Sequence, residues 1–197
     1  MSKLFAMIIL TALLTACGGG AVVVRYYVID PVAVEAVAEL EQRSIQILDI
    51  KLPQYLERFQ IARRHQSNQL TFSSNHQWGE NLRKNLYRTM TRNLSAALQT
   101  ADVGSSISRT LSAPDYLVRV SMEAFEQDAD GFAVISARFQ VSDAAGQVLA
   151  TKVFEQRSDR SSQGSYDQMV LDLQQLFGSF CQAISEEIKR VDGSHGG

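Results

Sequence analysis

Leu14-Thr15-Ala16-Cys17 is the stretch of this 197-residue chain whose residue types and order could support covalent chemistry. A small residue before the cysteine lets a peptidase reach the backbone. The Cys17 thiol is the one side chain there able to accept a diacylglyceryl thioether. The run from Leu4 to Ala16 is uncharged and follows Lys3. Its thirteen residues would span ~20 Å as a helix, short of a ~30 Å hydrocarbon core. A charged start, a short apolar middle and a small-residue exit describe a signal peptide over 1–16. The order Leu, small, Ala, Cys describes a bacterial lipobox, and residues 17–21 then form a lipidated cysteine with a Gly-rich spacer. Each buried lipid methylene adds ~0.8 kcal/mol, so a multiply acylated Cys17 would keep the chain on a membrane.

The other reactive side chains are scattered rather than grouped. No Gly-rich phosphate loop, G-x-S-x-G, H-E-x-x-H or paired cysteine set is present. His65, His76 and His195 have no partners at ligand spacing, so neither a metal nor a cofactor beyond the Cys17 lipid is expected, and no enzymatic activity. Asp128-Ala129-Asp130-Gly131 lacks the downstream Glu of a calcium loop and reads as turn chemistry. Cys181 has no disulfide partner once Cys17 is acylated, and its place on an apolar helix face marks a buried thiol. Lys84, Arg88 and Arg92 form a basic ridge that could meet lipid phosphates or an acidic partner; an ordinary solvated helix face is the plainer reading. Trp78, the only tryptophan, reads as a core residue. With 19 basic and 21 acidic residues the net charge is −2, which implies neither a nucleic acid nor a bulk anionic surface as partner.

The elements that must carry these residues follow from periodicity. Strands are expected at 22–30, 44–52, 59–64 and 69–73, with Ser67-Asn68 as a turn. A first long helix is expected from an S-x-x-Q capping box at Ser74–Gln77, carrying Trp78, Leu82, Leu86, Met90, Leu94 and Leu98 on one face, with Glu80 paired to Lys84. Residues 116–128, 132–141 and 147–157 alternate as a meander, turning at Asp130-Gly131 and Asp143–Gly146. A second capping box, Ser165–Gln168, opens a helix whose apolar residues run from Met169 to Val191. The expectation is one α+β domain over 22–192, a mainly antiparallel sheet with two long amphipathic helices packed on one face. The residues from Gly193 to 197 read as a flexible tail.

One segment resists this scheme. In L-P-Q-Y-L-E-R-F-Q-I-A-R-R (52–64), Pro53 ends a strand and large apolar groups then fall in a connection. Leu56 reads as core. Tyr55 and Arg58 read as interface residues, with Phe59 and Arg63 beside them, since Tyr and Arg are enriched at protein contacts. Here the sequence resembles the ABC-type transport auxiliary lipoproteins. The matching residues are Tyr26-Tyr27, Leu52-Pro53, Tyr55-Leu56, Arg58, Gln60-Ile61, Arg63, Asn75, Trp78, Glu80 and Leu82, with Phe59 where the family often has Pro and Ala62 where it has Val. The resemblance implies a non-catalytic subunit beside an inner-membrane protein and an MCE-domain protein that spans the periplasm, moving lipids and maintaining envelope integrity. It implies an outer-membrane anchor, consistent with Gly18 rather than Asp after the cysteine, and leaves a homo-oligomer open. A structural lipoprotein of another envelope complex and a stand-alone periplasmic lipid-binding module are the other readings.

Overall fold

The computed structural model describes residues 22–66, 68–109, 111 and 113–195. The lipobox, the spacer and Ser67 of the expected turn lie outside them. The elements run β1 (Arg25–Tyr27), β2 (Ile45–Lys51), a 3-10 turn (Gln54–Glu57), β3 (Gln60–Gln66), β4 (Gln69–Trp78), α1 (Leu82–Leu98), β5 (Val103–Ser105), β6 (Tyr116–Gln127), β7 (Ala133–Asp143), β8 (Val148–Arg157) and α2 (Tyr166–His195).

The eight described strands form one sheet organised around β6. On one edge β6 pairs antiparallel with β7, which pairs antiparallel with β8. Both hairpins close as the sequence suggests. Gly131 and Gly146 sit at φ +90° and +85°, the left-handed region where a Cβ is costly. Asp128 Oδ1 accepts the amides of Asp130 at 2.9 Å and Phe132 at 3.0 Å, so this acidic stretch is turn chemistry. The other edge of β6 is divided. Its first half takes β2 in parallel, from Ile45 beside Tyr116 to Lys51 beside Ser121, and its last residue, Gln127, meets Arg63 of the antiparallel β3–β4 hairpin. Strands β5 and β1 add in parallel to β2 and β4. The sheet is therefore mixed, antiparallel through its hairpins and parallel where chain segments distant in sequence meet.

Helix α1 packs against β2 and β5, α2 against β6, β7 and β8, and the helices pack on each other, which places both on one sheet face. On α1 the stripe Leu82, Leu86, Met90, Leu94 and Leu98 is buried, each side chain contributing about 2 kcal/mol by leaving water. Phe177 and Phe180 of α2 meet the sheet edge-on, Phe177 with Phe125 at 6.2 Å and Phe180 with Phe139 at 5.9 Å. Cys181 is fully buried beside them, and burial pushes its thiol up to about 12.

Three expectations change. The Ser74–Gln77 stretch is strand, not the start of a helix: β4 continues to Trp78 and α1 begins at Leu82, with the Asn81 side chain accepting the Lys84 amide at 3.2 Å. The cap-like chemistry is real but belongs to an irregular strand. Ser73 Oγ accepts the His76 amide at 3.0 Å, while β1 pairs along His76–Trp78. The first strand is only Arg25–Tyr27, and Val22 and Val23 ahead of it are exposed. At the other end α2 continues past Gly193 to His195, where a flexible tail was expected.

Candidate docking surface

The segment after β2 is shaped by Pro53, whose φ of −56° and ψ of 145° end the strand and start the 3-10 turn. The Leu56 amide donates to the Pro53 carbonyl at 2.9 Å. That turn drives Leu56 into the core, where it is 2% exposed. Tyr55 is half-buried against the same core, and its hydroxyl donates to the Glu123 carbonyl at 3.4 Å. Burial first, then the nearby Glu126, push its phenol above the usual range.

Arg58 returns to extended backbone and lays its guanidinium over the Phe72 ring of β4, 4.8 Å from the centroid. Phe59 follows at 55% exposure while its carbonyl accepts the Trp78 amide at 2.7 Å, so its backbone is fixed and its ring is in water. Gln54, Tyr55, Glu57, Arg58 and Phe72 rim an open depression of about 440 Å³. An aromatic and arginine patch on fixed backbone is what protein contacts favour.

The fourth expected contact residue lies elsewhere. Arg63 stacks at 3.3 Å over the Tyr166 ring and donates to the Gly164 carbonyl at 2.8 Å, fastening β3 to the start of α2. Its half-burial pulls its guanidinium down from the ordinary value. Tyr166 in turn stacks on His76 at 4.0 Å, and His76 on Tyr27 at 5.8 Å, whose hydroxyl donates to Asp167 at 2.8 Å. Burial first, then Arg25 and Arg63, lower the His76 pKa, against the opposing pull of Asp167. Next along β3, Arg64 holds the fully buried Glu126 at 2.6 Å. This ladder ties β1, β3, β4 and α2 together.

On the basic ridge, Arg88 donates to Glu80 through both terminal nitrogens. Glu80 precedes the helix, so it meets Arg88 rather than the expected Lys84. Lys84 and Arg92 form no ion pair among the described residues, and with Ile107 they border a depression of about 340 Å³. Trp78 is buried as expected, 6.1 Å from Phe125. Among the described residues no group of three His, Cys, Asp or Glu could hold a metal ion, and no helix is long and apolar enough to cross a membrane. Sequence reasoning missed Phe72, the His76–Tyr166 stack and Glu126. A lone aromatic in a polar strand, a histidine and a glutamate give no local sign of partners brought by the fold.

A one-layer mixed sheet backed by two helices, with a fixed Arg58–Phe59–Phe72 patch on its β3–β4 wing, defines an α+β module suited to contact. The chain belongs to the ABC-type transport auxiliary lipoprotein component family, whose profile matches residues 27–185. A crystal structure of an uncharacterized protein shares the fold with a TM-score of 0.67 at 21% identity, over 84% of this chain and 99% of that one. Protein XCC0632 from Xanthomonas campestris, of the DUF330 family, shares it with a TM-score of 0.66 at 15% identity, over 88% of this chain and 97% of that one. No curated protein matches the sequence.

Proposed function

We propose that this protein is the outer-membrane-anchored, periplasm-facing subunit of an MCE-type intermembrane lipid transport system in a Gram-negative envelope, acting by docking rather than by catalysis. The observation that carries this reading is membership of the transport auxiliary lipoprotein family joined to the Leu14–Cys17 lipobox. The covalent lipid on Cys17 is the only added group the reading requires. The Arg58–Phe59–Phe72 patch is the contact surface offered to the MCE-domain partner or to a second copy. A stand-alone lipid carrier is disfavoured because the space between sheet and helices is filled by Phe125, Phe139, Phe177 and Phe180.

The test is membrane fractionation with co-purification from detergent-solubilised envelopes. The wild type floats with outer membrane and brings the MCE-domain protein with it. Cys17→Ser leaves the membrane fraction as an unprocessed or soluble species. An unmodified Cys17 in the mature wild type, by mass spectrometry, would refute the anchor. Intact anchoring with no MCE-domain partner would refute the assignment of the machine.

A further inference from the structure

Both helices cover one face of the sheet, so the other face meets solvent. There the strand register sets two rows of side chains across β2, β6 and β7. Asp49, Arg119 and Gln140 form one row, and Lys51, Ser121 and Arg138 the next. These six line an open hollow of about 220 Å³. Neighbouring strands lie ~4.8 Å apart, so Lys51 and Arg138 flank the short Ser121 from either side, within reach of one group placed above it. Arg119 approaches from the same strand as Ser121.

Lys51, Arg119 and Arg138 are exposed, and none of their charged side chains has an ion-pair or hydrogen-bond partner among the described residues. Arg43, Arg64, Arg88, Arg109 and Arg157, by contrast, each hold a carboxylate, while Lys84 and Arg92 of α1 also form no ion pair among the described residues. The one carboxylate lining the hollow, Asp49, accepts a hydrogen bond from the Tyr87 hydroxyl at 3.5 Å and pairs with none of the three cations. Like charges on adjacent strands repel, and against these three cations the hollow holds a single carboxylate, Asp49, beside Arg119. The complement is an array of anions. A flat, open face gives a single small anion little shelter, whereas a layer of phosphates engages all three cations at once. The tether keeps the domain close to the anchoring membrane: β1 begins at Arg25, eight positions after Cys17, a reach of no more than ~28 Å.

We propose that this uncovered sheet face, through Lys51, Arg119, Ser121 and Arg138, rests on the phosphate layer of an anionic phospholipid membrane. The proposal rests on the Cys17 anchor of the preceding reading, and it adds the orientation that the anchored domain takes. Juxtamembrane cations act together, so removing three lowers surface occupancy by about 100-fold.

The experiment uses the full lipidated chain in vesicles, with Val153→Cys as reporter. Val153 is exposed on β8 directly beside Arg138, while Cys181 is buried and silent. Leu171→Cys, exposed on α2, serves as the control on the helical side. A bulky water-soluble maleimide should label Val153→Cys at least ~10-fold more slowly on phosphatidylglycerol vesicles than on phosphatidylcholine vesicles. High salt should abolish the difference. Leu171→Cys should show none, and the combined Lys51→Gln, Arg119→Gln, Arg138→Gln variant should lose the protection with its melting unchanged. Equal labelling on both vesicles, or protection that survives the triple substitution, overturns the proposal. Protection by inorganic phosphate on neutral vesicles shows a soluble-anion site and overturns it too, as does protection that appears only with added envelope protein. Failure of the anchor reads differently: the chain does not float with vesicles of either composition.

Discussion

Asn85 clamps both backbone groups of Ile29, where the N-terminal segment enters the core, and Asn85→Ala should loosen that clamp. Asn85 on α1 is 1% exposed and faces Ile29, which is fully buried just after β1. Its Oδ1 accepts the Ile29 amide at 2.6 Å, and its Nδ2 donates to the Ile29 carbonyl at 2.9 Å. Thr89 also donates to that carbonyl, at 2.6 Å. The two losses on truncation are therefore unequal. The carbonyl keeps Thr89, and loses a bond worth about 0.5–1.5 kcal/mol. The amide keeps nothing, and a buried orphan donor costs about 1–3 kcal/mol. Together these come to about 2–4 kcal/mol, a fall in Tm of roughly 5–15 °C for a domain of this size.

The assay is thermal unfolding by circular dichroism with native-state hydrogen exchange read at the Ile29 amide. Thr89→Val is the matched control, since it keeps the shape and leaves the carbonyl its Asn85 partner; its loss should stay under about 1.5 kcal/mol. Faster exchange at Ile29 in Asn85→Ala, but not in Thr89→Val, would show that the amide is the group that suffers. Equal losses for both variants, or unchanged exchange at Ile29 in Asn85→Ala, would refute the reasoning.

Leu56→Ala should lose about 2–5 kcal/mol by leaving a cavity under the 3-10 turn, whereas Phe59→Ser should leave melting nearly unchanged and weaken co-purification with the partner; a large melting loss for Phe59→Ser would show its ring to be structural. The lowered His76 pKa means that the folded state disfavours the protonated ring. Stability should thus be unaffected by this group above the ordinary value near 6.5 and fall as the pH drops below it, and His76→Gln should flatten that part of a melting-versus-pH curve; an unchanged slope would remove His76 as the cause.

Much of this architecture was legible in the sequence because it is local. Helix α2 shows a clean apolar period from Met169 to Val191, and Gln168 donates its amide to the Ser165 hydroxyl at 3.2 Å, as half of the expected box. The meander shows alternation through most of its length, broken by a bulge between Met122 and Ala124, with Gly at both turns. The misreading of residues 74–78 has a specific origin. Trp78 and Leu82 are spaced like neighbours on a helix face, and both are buried, but they reach the same core from different elements. What decides the matter is β1, more than forty positions earlier, pairing with His76, Gln77 and Trp78. Parallel pairing of distant segments leaves no local trace, which also explains why the sheet's mixed character was not visible.

The same distinction separates the readable parts of the surface from the hidden ones. Tyr55, Arg58 and Phe59 stand out in sequence because apolar and arginine residues crowd a connection behind a proline. Lys51, Arg119 and Arg138 do not, because each is an ordinary polar position in an alternating strand. They become a cluster only when β2 lies parallel against β6 and β7 lies on its other side. The sheet thus carries two separate surfaces, an aromatic patch on the β3–β4 wing and a cationic field over β2, β6 and β7. One edge of β6 takes β2 along its first half and reaches β3 only at its last residue; Arg119 and Ser121 of the cationic cluster lie in that first half, and Tyr55 beside the aromatic patch donates to the Glu123 carbonyl two residues further along the same twelve-residue strand. A domain tethered at its N-terminus could on this plan rest on lipid phosphates through one and still present the other to a protein, with both held in register by the backbone of β6.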